Sequence, residues 1–126
     1  MLIAYLSLTG NVRRFVEKTQ MNSLEINYNA PCEEVHEPFI VIVPSYDDNI
    51  TDIVSSFVSF KANLNYLIGF VGSGNLNFDN EFCFNAKDLA KKFNKPLLYT
   101  FEFSGTEKDV IDFKKEVNQF ASAGTK

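Results

Sequence analysis

The sequence predicts an α/β fold built on a five-stranded parallel sheet with helices on both faces. Three observations lead there. Short apolar runs alternate with segments of helical periodicity from one end of the chain to the other. Two of those runs, Phe39–Val43 and Tyr66–Gly72, are almost continuously apolar, the pattern of strands buried on both faces. The chain has 126 residues, 45% of them hydrophobic and 22% charged, which suits one domain with an ordinary core spanning residues 1–126.

The elements follow in order. Leu2–Leu6 is a compact apolar strand, and Val12, Phe15, Val16 and Thr19 recur at helical spacing behind it. In Ser23–Tyr28 the alternation of Leu24, Ile26 and Tyr28 predicts a second, shorter strand. Phe39–Val43 is the third, ended by Pro44. Asp48 or Asn49 can then cap a helix that carries Ile50, Ile53, Val54, Phe57 and Val58 on one side. Tyr66–Gly72 is the fourth strand, followed by a polar loop and a helix with Ala86, Leu89, Ala90 and Phe93. Pro96–Phe103 is the fifth. A last helix, N-capped by Thr106, presents Val110, Phe113, Val117, Phe120 and Ala121, and residues 122–126 form a frayed end.

Composition narrows the function classes. A net charge of −4 argues against a nucleic-acid partner. Cys32 and Cys83 stand far apart, with His36 as the one histidine, which excludes the usual zinc spacings and a disulfide framework. A reduced, cytoplasmic setting is the resulting expectation. Residues 1–8 read as a strand and not as a signal peptide, and no apolar stretch approaches the roughly 18 residues of a membrane helix.

In parallel sheets, ligands sit at the carboxyl ends of the strands, near the point where strand order reverses. Three loops fall there. The first carries Ser7, Thr9, Gly10 and Asn11 and runs into a helix, whose free N–H groups attract anions. Two readings stay open: an anion cradle, or a plain cap by Thr9 or Asn11 with Gly10 relieving a tight turn. The loop lacks the P-loop pattern, so a single phosphate suits it better than a magnesium triphosphate. Arg13 and Arg14 in the first helical turn are disfavoured by the helix dipole, by ~0.3–1 kcal/mol each, and a bound anion would remove that objection.

The second loop, Pro44-Ser45-Tyr46-Asp47-Asp48-Asn49, offers Tyr46 to stack on a flat ring or to pack against its own loop. Asp47 and Asp48 are turn and cap residues, or alternatively a carboxylate pair. The third, Gly72-Ser73-Gly74-Asn75-Leu76-Asn77, begins like a dinucleotide fingerprint, but Asn77 replaces the third glycine and the loop follows a late strand. Its glycines and asparagines still present polar groups to a heterocycle, with Phe78 as a second aromatic surface. Cys83 falls near a helix start as a buried structural cysteine or a redox thiol.

"SLTGNVRRFVEK", "GSGNLNF", "EFC" and "PLLYTFEFSGTEKDVIDF" together resemble NrdI, the flavodoxin-like family of the class Ib ribonucleotide reductase system, over nearly the whole chain. The resemblance implies a flavodoxin-like three-layer sandwich with strand order 2-1-3-4-5 and a non-covalent flavin mononucleotide (FMN). It implies that Ser7, Thr9, Gly10, Asn11 and Val12 hold the phosphate. Pro44, Ser45, Tyr46 and Asp47 would line one side of the flavin ring; Gly74, Asn75, Asn77, Phe78 and Asp79 would line the other, with Cys83 close behind. No catalytic dyad and no protein-bound metal are implied, since the flavin carries the chemistry.

The implied role is an accessory one more than that of a turnover enzyme. Reduced flavin and molecular oxygen would supply a superoxide-type oxidant, or electrons, to assemble the dimanganese-tyrosyl radical of the reductase small subunit. A glutaredoxin-like protein or a flavodoxin reductase would reduce the flavin; no membrane partner is implied. Asp79 and the Tyr46-Asp47-Asp48-Asn49 run depart from the family, where glycine is common, and Phe78 stands where Trp or Tyr is frequent. The added charge beside the ring disfavours an anionic reduced flavin. A general flavodoxin serving another reductase is the alternative. A phospho-receiver module would need an acidic cluster after strand one, where this chain has Ser7, Leu8 and Thr9.

Overall fold

The computed structural model describes residues 1–27, 32–45, 48–75 and 83–124. Five parallel strands, β1 (Leu2–Tyr5), β2 (Ser23–Glu25), β3 (Phe39–Val43), β4 (Leu67–Gly74) and β5 (Leu97–Glu102), form one sheet in the order β2-β1-β3-β4-β5. The expected fold class and strand order are therefore those observed. The helices are α1 (Asn11–Thr19), α2 (Asp48–Val58), α3 (Phe84–Phe93) and α4 (Glu107–Gly124).

Alternation along the strands divides the core in two. Ala4, Leu6, Phe39, Val41 and Val43 point to one face and pack with Ile50, Val54 and Phe57 of α2 and Ala86 and Leu89 of α3. Ile3, Tyr5, Ile40 and Ile42 point to the other, against Val12, Phe15 and Val16 of α1 and Val110, Phe113 and Val117 of α4. All five residues of β3 are buried, as its unbroken apolar run requires. On the α1/α4 face, the Phe15 ring stacks on Phe101 at 3.9 Å and meets Phe113 edge-on at 5.3 Å. Gly72 keeps the α3 side close: a Cβ there would lie 2.8 Å from that of Cys83 and 2.9 Å from that of Ala86.

Several boundaries differ from expectation. β2 stops at Glu25, although Ile26 is buried and its N–H still donates to the Tyr5 carbonyl at 2.6 Å; Tyr28 lies outside the described residues. α2 begins at Asp48, so Asp48 and Asn49 are its first helical residues and not its flanking cap. Tyr66 closes a 3-10 turn, Asn63–Tyr66, that the apolar run concealed, and β4 continues through Ser73 and Gly74. Asn63 explains the turn. Its buried amide accepts from the Val35 N–H at 2.7 Å and donates to the Glu33 and Phe57 carbonyls at 2.9 and 2.8 Å. β5 ends at Glu102, one residue short of Phe103. α4 runs through Gly124 where fraying was expected from residue 122, and Phe120 is exposed and not on the core face.

Thr106 caps α4 as anticipated. Its hydroxyl oxygen accepts from the Asp109 N–H at 3.1 Å, and the Asp109 carboxylate accepts from the Thr106 N–H at 2.8 Å. Among the described residues, no helix is long and apolar enough to cross a membrane.

Candidate functional site

A cavity of about 360 Å³ opens at the carboxyl ends of β1, β3, β4 and β5. That volume is in the range of small-molecule sites. Its polar rim is formed by Thr9, Asn11, Ser45, Ser73, Gly74 and Asn75, and its apolar lining by Leu8, Pro44, Phe84 and Phe103.

The loop after β1 builds one end. Gly10 is the N-cap of α1 in the left-handed region (φ 92°) and supplies no side-chain cap. The simple-cap reading of Thr9 or Asn11 is thereby corrected. Ser7 instead reaches forward, its Oγ accepting from the Arg13 N–H at 3.2 Å. The Arg14 N–H closes the first helical bond to the Gly10 carbonyl at 3.0 Å. Helix geometry then leaves the Asn11 and Val12 amides as the open donors of the first turn. Val12 is buried, its side chain packed into the core against the sheet.

The two arginines have partners of their own. Arg13 pairs with Glu25 at the end of β2, so the negative group that offsets it belongs to the chain. Arg14 donates to Asn11 Oδ1 at 2.7 Å and to Ser104 Oγ at 3.1 Å, while the Ser104 hydroxyl donates to the same Asn11 oxygen at 2.9 Å. Lys18 adds bonds to the Ser104 and Gly105 carbonyls at 3.2 and 2.8 Å. The start of α1 is thus fastened to the turn after β5. Arg14 lies close over Gly10, with one guanidinium nitrogen 3.0 Å from where a Cβ would project.

The opposite wall is fastened by serines. The Ser45 hydroxyl donates to the Ser73 carbonyl at 2.9 Å, and the Ser73 hydroxyl to the Phe103 carbonyl at 2.6 Å. The Phe103 N–H returns a bond to the Gly74 carbonyl at 3.0 Å. Cys83 lies behind this wall, fully buried as the N-cap of α3, and does not line the cavity; Phe84 beside it does. Burial pushes the Cys83 thiol up to about 11, against opposing pulls from Lys87 and the Ser45 hydroxyl. It is a protonated thiol at neutral pH.

Of the residues singled out from the sequence, Thr9, Asn11, Pro44, Ser45, Gly74 and Asn75 meet at the cavity. Ser7, Gly10 and Val12 form the helix start beside it. Tyr46, Asp47, Asn77, Phe78 and Asp79 lie outside the described residues. Leu8, Ser73, Phe84 and Phe103 were not anticipated. Each sits in or next to an apolar or strand-like run, and only the turn at Ser104-Gly105 hints that Phe103 has left its strand.

A helix start at the cavity mouth, an apolar lining beyond it and strand order 2-1-3-4-5 define a doubly wound protein of the flavodoxin-like fold. Residues 3–115 match the family described as NrdI flavodoxin-like, and the chain belongs to that family. Solved flavodoxins share the fold. One from Streptococcus pneumonia TIGR4 is 21% identical with a TM-score of 0.62, each chain being 97% covered. A short-chain flavodoxin associated with a non-canonical PDU bacterial microcompartment is 15% identical, also at 0.62, over 97% of this chain and 96% of that one. A cysteine-to-serine mutant of the flavodoxin from Pseudomonas aeruginosa is 16% identical at 0.57, with 98% of both chains covered. The chain is a flavin-binding redox protein of a family associated with ribonucleotide reductase, and its cofactor is FMN.

Proposed function

We propose that the chain holds FMN in this cavity and serves the class Ib ribonucleotide reductase in the cytoplasm, by assembling the dimanganese-tyrosyl radical of the small subunit. The observation that carries the reading is the family match over residues 3–115, seated on a helix start left open for an anion. When bound, FMN would supply the redox chemistry: reduced by a glutaredoxin-like protein or flavodoxin reductase, it would give electrons to molecular oxygen and so provide a superoxide-type oxidant for the manganese site.

The chain's part is to bind and orient. The Ser7 and Thr9 hydroxyls, the Asn11 and Val12 amides and the left-handed turn at Gly10 hold the phosphate. Arg14, tied to Asn11 and Ser104, adds positive charge beside it without leaving its own partners. Ser45 and Gly74 flank the ring, and Asn75 offers it polar groups. Tyr46, Asp47, Asn77, Phe78 and Asp79 complete the two walls in this reading, with Cys83 behind them.

The test mixes the reduced protein with manganese-loaded small subunit and oxygen, and follows the tyrosyl radical by electron paramagnetic resonance. Radical formation is the expected result. A yellow, FMN-containing protein that reduces other acceptors but yields no radical would make it a general electron carrier.

A further inference from the structure

We infer that Phe103 is a cofactor-contacting residue: its ring forms the apolar wall against which the non-phosphate part of the bound FMN packs. The inference rests on the FMN reading and adds to it a residue from the turn after β5, which supplies no site residue in that reading.

The backbone is the first observation. Phe103 has φ 51°, in the left-handed region that a bulky side chain rarely adopts. Among the described residues, four other non-glycine residues share a positive φ, and each has a local reason. Gln20 and Asn94 close α1 and α3, Cys83 opens α3 from the core, and Lys61 leads a turn closed by the Asn63 N–H on the Phe60 carbonyl at 3.0 Å. Phe103 also leads a closed turn, with the Gly105 N–H on the Glu102 carbonyl at 2.8 Å, but there the turn presents a bulky ring. It closes no helix, and its side chain is 51% exposed, so core packing does not hold it.

The second observation is how firmly that conformation is kept. Both sides of the residue are bonded to β4, through its N–H to Gly74 and its carbonyl to Ser73. The next residue, Ser104, is bonded to Asn11 and Arg14 at the start of α1. Glycine would make the same turn without steric cost, and the chain does use glycine two residues later, at Gly105 with φ 69°. A strained, pinned backbone that presents a large apolar ring is a device for placing that ring.

The third observation is where the ring is placed. It lines the cavity together with Leu8, itself 39% exposed, and Phe84. Leu8 belongs to the phosphate loop and Ser104 to the network behind it, so Phe103 stands next to the cradle and on its apolar side. A ligand with a phosphate at one end and an apolar, planar body at the other matches that arrangement, and FMN has this shape.

Full-length protein is titrated with FMN, and the quenching of flavin fluorescence gives Kd. Phe103→Ala and Phe103→Gly each weaken binding by roughly tenfold, the loss expected for one aromatic contact, whereas Phe103→Tyr stays near the parent value. Without FMN, Phe103→Gly melts at or above the parent temperature, because it relieves the left-handed strain. A merely structural role would lower that melting temperature and leave the Kd of the folded protein unchanged. Parent-like Kd in both the Ala and Gly variants overturns the inference, also where those variants fail only in reductase activation, which would assign the ring to a protein partner. If the parent protein itself binds no FMN, the FMN reading falls, and the inference with it.

Discussion

The starts of α1 and α4 solve the same physical problem in opposite ways. Each leaves N–H groups without helical partners and carries a partial positive charge. α4 closes itself: Thr106 and Asp109 exchange hydrogen bonds, and Glu107 and Asp109 place acidic groups in the first turn. The N-cap of α1 is a left-handed glycine with no side chain to close it, and the first turn carries no acidic residue. Its one side-chain acceptor, Ser7, takes a single N–H. A helix start that keeps its donors available, in a protein able to build the closed kind, is arranged for something other than its own stability.

The comparison can be broken at either end, and the largest effect is expected at Gly10. Gly10→Val forces a branched side chain into a left-handed position, a penalty of ~1–2 kcal/mol, and drives it against the Arg14 guanidinium. FMN affinity, read by fluorescence titration, should fall roughly five- to thirtyfold where binding has to restore that strained turn. Parent-like affinity would mean that the open helix start is not where the phosphate binds.

The matching change in α4 should touch stability alone. Thr106→Ala removes the cap and should cost about 1 kcal/mol in urea unfolding, while FMN affinity stays at the parent value. A drop in affinity would show that the two helix starts are not independent.

The smallest effect concerns acid. Burial pushes the Asp109 carboxyl up, but bonds from the Thr106 N–H, the Tyr99 hydroxyl and the Thr106 hydroxyl, with the Lys108 charge, hold it below its ordinary value. A carboxylate depressed in the folded state stabilises at pH values above its unfolded pKa, about 3.9. That contribution is lost as pH falls through the lower folded value. Asp109→Asn should therefore flatten the acid limb of the stability curve below about pH 4, and leave its neutral region slightly lowered. An unchanged acid limb would remove Asp109 from the account of α4.

The same contrast shows what the sequence could reveal. Thr106-x-x-Asp109 is a local pattern, and the cap it announces is present. The five strands were legible because period-two and period-3.6 patterning survive in a single chain, and the loops of the site followed from where such strands end. Asn63 was not legible, since its three partners lie 6 to 30 residues away. Phe103 was read as strand because Phe-Glu-Phe alternates; what turns the chain there is the Gly105 N–H bond back to the Glu102 carbonyl, which only the glycine hints at. Phe120 continues the periodicity of α4 beyond the sheet that could cover it. The partners of Arg13 and Arg14 belong to the same class: Glu25 and Ser104 come from other strands' ends.

One consequence attaches to Cys83. Its sulfur lies beside Gly72 and next in sequence to the cavity-lining Phe84, yet it has no exposed surface and keeps its proton at neutral pH. Oxidation of cysteine proceeds through the accessible thiolate. The sulfur is therefore chemically quiet: it fills space beside Gly72, and an oxidant formed in the cavity would not find the core's own thiol as its first target.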